Sequence, residues 1–335
     1  MKDFSQLSRE ELDEQTDFYG EKLQKLGEEI QKTIIGQEEA VDSVLTCLVA
    51  DGNALLEGVP GLGKSLLVET LGRIVEDSGF NRIQFTPDLL PADIVGIEAY
   101  DEDKGFYTEK GPIFSNFILA DEINRAPPKV QSAMLEAMQE NKVTIGDEDY
   151  QLPKPFFVLA TQNPVEQEGT YPLPEAQVDR FLFKIVMDYP KRKNEFEIID
   201  VNAERMDMNE YGLNQVITSE ELIEAQELSK EIIVSDEIKK YILDLVEATR
   251  NPEEFDLEYG DLIDYGGSPR ASINLALAAR ANALINKRFF VKPDDVREVV
   301  HEVFRHRIIL NYEGQARDIS KEEIIDDIVD RVPVR

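Results

Sequence analysis

Residues 58–66 read GVPGLGKSL, and Gly58, Gly63, Lys64 and Ser65 meet the spacing G-x-x-x-x-G-K-[ST]. Each residue type answers a need of phosphate chemistry. The loop through Val59, Pro60, Gly61 and Leu62 can wrap close to an anion because its glycines tolerate unusual backbone angles. Its N–H groups, with those of a helix opening at Gly63, Lys64, Ser65 and Leu66, can donate to phosphate oxygens. Lys64 brings a charge to the β- and γ-phosphates, and Ser65 a hydroxyl to Mg²⁺. At this chain's own residue frequencies, a chance match in 335 residues is on the order of 1 per cent.

Binding phosphate does not hydrolyse it. In FILADEIN an apolar run ends on Asp121, suited to coordinate Mg²⁺, and Glu122 follows as a candidate general base for an attacking water. In LATQNP, Asn163 either orients that water and touches the γ-phosphate, or forms a turn before Pro164. The guanine-reading pattern N-K-x-D is absent, since the two Asn-Lys pairs continue as Val-Thr and Arg-Phe, so ATP is the expected nucleotide. Two arginines remain. In GGSPRA, Ser268 caps and Pro269 starts a helix, placing Arg270 in a first turn where the helix dipole disfavours a cation. It is either aimed at a phosphate or exposed to solvent. Arg180, just before the FKIVM run, either serves a nucleotide other than the chain's own or forms an ion pair with Asp179 or a neighbour.

These residues need a scaffold. Up to about Asp188 short apolar runs alternate with amphipathic helical patterns, which predicts a parallel sheet with helices on both faces. The strands are expected at NALLE (53–57), RIQFT (82–86), FILAD (117–121), FFVLAT (156–161) and FKIVM (183–187). Helices are expected at 36–50, 63–77 and 127–141, and hairpins at 93–112 and 143–152. Beyond a boundary near Tyr189 and Pro190 the pattern turns helical, with helices expected around 195–206, 219–232, 236–249, 269–287 and 293–307.

The charge is −32, with 36 basic and 68 acidic residues, and residues 194–264 hold 21 acidic against five basic ones. Such a surface disfavours nucleic acid as a partner, because phosphate binding needs clustered Lys and Arg. No apolar run approaches a membrane span, and the charged N-terminus has no apolar leader, so a cytoplasmic protein is expected. The single cysteine, Cys47, excludes a disulfide within the chain and is expected to be buried. His301 and His306 are five apart, which does not suit an i,i+4 metal pair.

The runs IIGQEEAV, LLEGVPGLGKSLLV, RIQFTPDLLPADIVGIE, KGPIF, ILADEINRAPPKVQSAMLEAMQE, FFVLATQNPVEQEGTYPLPEAQVDRFLFK and GGSPRA closely resemble the MoxR group of AAA+ ATPases. The resemblance is nearly continuous over 34–189. It implies an α/β fold: a P-loop AAA+ core with a parallel five-stranded sheet over 34–189, an acidic helical segment over 1–33 before it, and an α-helical lid domain over 190–335 after it. It assigns residues 58–65 to the Walker A loop, Asp121 and Glu122 to Walker B, Asn163 to sensor 1, Arg180 to the arginine finger and Arg270 to sensor 2. It further implies an ATPase working with Mg²⁺ in a ring, commonly a hexamer, in which Arg180 acts on the neighbouring subunit's ATP. The two hairpins would face the pore or the substrate. MoxR-like proteins act as chaperones that mature or assemble client proteins, often beside a partner with a von Willebrand factor A domain. A nucleic-acid motor and a nucleotide-gated scaffold with little turnover are the competing expectations; the acidic hairpin tip argues against the first and the full set of catalytic candidates against the second.

Overall fold

The computed structural model describes residues 4, 6–103, 105–163, 169–202, 208–317 and 319–334. Five strands form one sheet: β1 (Ala54–Gly58), β2 (Phe80–Gln84), β3 (Phe117–Asp121), β4 (Phe157–Gln162) and β5 (Phe183–Met187). Their order is β5-β1-β4-β3-β2. β4 pairs in parallel with β1 and with β3, and β3 with β2. Ile118 and Ala120 of β3 and Val158 and Ala160 of β4 share one buried cluster with Val130, Met134 and Met138 of a covering helix. The alternate residues Phe117, Leu119, Phe157 and Leu159 are equally buried and face the opposite layer. Apolar runs without alternation are what a sheet covered on both faces requires. The α/β class and the parallel five-stranded sheet are as expected.

The first helices are α1 (Arg9–Gln31), α2 (Glu38–Val49), α3 (Lys64–Ile74) and α4 (Pro128–Glu140). Cys47 is buried in α2. α3 stops at Ile74, short of the expected 77, because Val75–Glu76 pairs in parallel with Ile217–Thr218. Extended backbone suits β-branched Val75 and Ile217. The first hairpin pairs Gly96–Asp101 with Gly105–Lys110, after a short helix at Pro91–Val95, of which residues 93–95 are expected in the hairpin. Its Lys104 lies outside the described residues. The second pairs Lys142–Ile145 with Glu148–Gln151 around Gly146, whose φ is +61°.

The later helices are α5 (Arg192–Asn202), α6 (Ser219–Glu231), α7 (Asp236–Arg250), α8 (Pro269–Ile285) and α9 (Lys321–Arg331). Residues 203–206 of the helix expected at 195–206 lie outside the described residues. The expected helix at 293–307 is two, Pro293–Arg297 and Val300–Phe304, since Val299 at φ −114° and ψ −3° leaves the helical path between them. His306 therefore falls past the helix that carries His301. This region also holds an antiparallel pair, Ile263–Tyr265 with Ile309–Leu310, where no strand was expected.

Packing divides the chain into two compact units: residues 1–24, 182–184 and 224–335 form one, and residues 25–181 and 185–223 the other. In the first, Tyr19 of α1 hydrogen-bonds the buried Glu224 of α6, which ties the N-terminal segment to the later helices. In the second, Asn214 donates to Glu29 through its backbone and side chain, which keeps residues beyond 190 with the sheet. No helix among the described residues is long and apolar enough to cross a membrane.

α9 is held by charge. His301 Nδ1 lies 2.6 Å from Glu322 Oε2, Arg305 Nε donates to Glu322 Oε1 at 2.6 Å, and Asp326 flanks the imidazole. Burial acts to raise the Glu322 pKa, but the bonds from His301 and Arg305 outweigh it and hold it at about 2 against an ordinary 4.5. The hydrogen bond to Glu322 raises His301 above its ordinary 6.5. A depressed carboxylate stabilises the fold above its unfolded value and loses that contribution as the pH falls, while a raised histidine contributes below 6.5 and loses it as the pH rises through its folded value. The difference in melting temperature between wild type and Glu322→Gln should therefore peak between pH 4.5 and 6.5 and shrink toward pH 2; a difference constant across that range would disprove the coupling.

Candidate active site

The P-loop follows β1. Gly58 passes so close to β5 that a Cβ there would meet Met187 O at 2.9 Å. Gly61 and Gly63 take φ of +89° and +85°, which side chains with a Cβ avoid. Gly63 caps α3 without a side-chain bond, so the first-turn N–H groups, including that of Ser65, point outward without a capping partner. This cradle fits a phosphate chain. Lys64 Nζ donates to Gly58 O at 2.6 Å. Burial lowers its pKa, and the charges of Asp121, Glu122 and Glu57 act to raise it again.

Asp121 ends β3 and Glu122 turns away from it. Thr161 of β4, wholly buried, donates through Oγ1 to Asp121 Oδ1 at 2.6 Å and accepts from Glu122 N at 2.9 Å. Glu122 has φ +56° and ψ +50°, left-handed backbone that costs a non-glycine residue about 1–2 kcal/mol. Such strain persists where the surroundings enforce it. The Glu122 carboxylate accepts from Gln84 Nε2 at 2.8 Å and Arg125 Nη1 at 3.0 Å. Arg82 donates to Asp121 Oδ2 from Nη2 at 2.5 Å and Nε at 3.0 Å. Among the described residues no three His, Cys, Asp or Glu side chains cluster as a metal site. Mg²⁺ here would be held by Ser65 and Asp121, drawing its other oxygens from phosphate and water and competing with Arg82 for Asp121.

Asn163 is buried one residue past β4. The pairing of Glu57 with Gln162 and of Ala120 with Ala160 sets the end of β4 between the P-loop and Asp121. Pro164, the other half of its alternative turn reading, lies outside the described residues. Strand order and register thus bring residues 58–66, Asp121, Glu122 and Asn163 to one end of the sheet. Arg180 is elsewhere. It is exposed ahead of β5, at the starting end of a strand, and the P-loop lies at the finishing end, about 16 Å away for five residues of strand. Arg270 is exposed in the first turn of α8, whose N-cap Ser268 accepts from its backbone N–H as expected.

Residues that the motif reading missed complete the site. Arg82 and Gln84 stand on one face of edge strand β2. The polar alternation in RIQFT was their only signal. Beside the P-loop a cleft of about 650 Å³ is lined by Ile34, Ile35, Leu62, Leu66, Ile198 and Ile199, with Tyr189 at its side. Gln37 Nε2 reaches Asp188 O at 2.7 Å near it. Its size and apolar walls suit a planar base next to the phosphate cradle.

The model of the ATPase family associated with various cellular activities (AAA) matches residues 53–183, and that of the AAA lid domain matches residues 260–328. Chaperone MoxR1 of Mycobacterium tuberculosis is 46% identical over 91% of this chain and 80% of its own length. Protein MoxR of Paracoccus denitrificans is 31% identical over 90% of this chain and 93% of its own. A crystal structure of a candidate ATPase from Cytophaga hutchinsonii superposes with a TM-score of 0.89 at 47% identity, covering 96% of this chain and 97% of that one.

Thr161→Val keeps the side-chain volume and removes both hydroxyl bonds. It should cost about 1–3 kcal/mol of stability through the unpaired groups and lower ATP turnover about 10- to 100-fold by misplacing Glu122. Steady-state phosphate release equal to wild type would exclude this role.

Proposed function

This chain belongs to the MoxR group of AAA+ ATPases, and from that membership we propose a chaperone that spends ATP hydrolysis on remodelling, assembling or maturing client protein complexes. The observation that carries the reading is the bridge at the strand ends, where Thr161 of β4, the strand between β1 and β3, donates to the Asp121 carboxylate and accepts from the Glu122 backbone N–H. Ser65 and Asp121 would hold Mg²⁺, which would supply charge neutralisation to the phosphates. Lys64 and the first turn of α3 orient the phosphates. Glu122 accepts a proton from the attacking water, and the buried Asn163 orients that water.

Arg180 is proposed to act on the ATP of a neighbouring subunit, since it stands at the end of the sheet opposite its own P-loop. A homo-oligomeric ring, most simply a hexamer, follows from that assignment. Arg270 is proposed as the second sensor of the bound nucleotide. Hydrolysis would then move the helical lid against the core, and the ring would pass the movement to a client. A cytoplasmic setting and a partner carrying a von Willebrand factor A domain belong to the same proposal. The tip of the first hairpin bears exposed Asp101, Glu102 and Asp103, which suits a protein client better than nucleic acid.

Glu122→Gln should retain ATP binding and lose roughly 10²- to 10⁴-fold in turnover; turnover equal to wild type would remove Glu122 from its role. Arg180→Ala should bind nucleotide and hydrolyse it poorly. Mixed with Lys64→Ala subunits, it should regain part of the activity, and no recovery at any ratio would rule out action across subunits.

A further inference from the structure

Gln131 lies on α4, behind the catalytic edge, and is wholly buried. Its Nε2 donates to Ile123 O at 3.2 Å and to Tyr171 O at 2.9 Å. Both partners are carbonyl oxygens, so the amide cannot be turned over without losing both bonds. Ile123 is the residue after Glu122, in the turn that the left-handed Glu122 opens. Tyr171 begins the segment that ends at Arg180, and its own N–H donates to Asn124 O at 2.6 Å. One side chain therefore bridges the turn bearing the candidate base and the segment bearing the candidate finger.

That segment is built to transmit a displacement. Pro172 and Pro174 restrict its backbone, and a short helix, Glu175–Val178, follows with Pro174 as its N-cap. Asp179 N, Arg180 N and Phe181 N bond back to Glu175, Gln177 and Val178, and Leu173 and Phe181 are buried. Gln177 Nε2 also reaches Ser132 Oγ on α4 at 3.4 Å. A buried amide spent on two backbone carbonyls costs desolvation that an apolar residue would avoid. Resting on the reading of Arg180 as a group acting in trans, we propose that Gln131 is the positioning residue through which the Glu122 turn of one subunit sets the placement of that subunit's Arg180, and hence the ATP site of its neighbour.

The test uses the full-length chain in mixed oligomers. Lys64→Ala subunits cannot use ATP but supply Arg180, and Arg180→Ala subunits supply only an ATP site; their mixture sets the reference turnover. Gln131→Met placed in the Lys64→Ala subunit should lower that turnover about tenfold or more. Placed in the Arg180→Ala subunit, where the lost bond touches only that subunit's own Glu122 turn, it should lower turnover clearly less than in the first placement. Equal losses in both placements, a loss confined to the second, or no loss in either would overturn the proposal. Binding of a fluorescent ATP analogue and thermal melting, measured on Gln131→Met alone, identify a folded subunit; if it does not fold, Gln131→Leu, which also lacks the donor, takes its place. Absence of any reference turnover would overturn the reading of Arg180 itself and this proposal with it.

Discussion

The hydroxyl of Thr161 joins two strand ends into one site. It can donate once and accept twice, and it donates to Asp121 while accepting from the backbone of Glu122. The geometry depends on strand order. β4 lies between β1 and β3, so a residue at its end faces the P-loop on one side and the carboxylates on the other. Asn163 inherits the same position one step further on, and the left-handed turn at Glu122 is held by the bond that Thr161 accepts.

Charge is handled differently at the site than across the chain. The chain as a whole carries −32, and its acidic excess repels other anions. At the strand ends each carboxylate instead has a cationic or amide neighbour: Arg82 on Asp121, and Gln84 with Arg125 on Glu122. Lys64 and the open first turn of α3 add the positive potential that an anionic nucleotide needs. An acidic protein can bind an acidic nucleotide because the attraction is local and short-ranged, within about a Debye length of 8 Å at physiological salt.

Local patterns made much of the site legible. Glycine spacing, a lysine followed by serine, and an apolar run ending in Asp-Glu each follow from chemistry confined to a few neighbouring residues, and so did the five strands, which lie within a few residues of where their apolar runs stand. The cap at Ser268 was legible for the same reason. Errors arose where a remote partner intervened. Ile217–Thr218 drew Val75–Glu76 out of helix, and the helix expected through Val299 was broken where the chain turns between two short helices.

What the sequence by itself determined was the inventory of reactive groups and the class of scaffold, because residue type and spacing carry both. Only the tertiary structure decided which groups meet. Arg82 reaches Asp121 across 39 residues, Thr161 reaches Asp121 across 40, and Gln131 reaches Tyr171 across 40. Those pairings are set by strand order and register, which depend on how whole elements pack rather than on any run of neighbours.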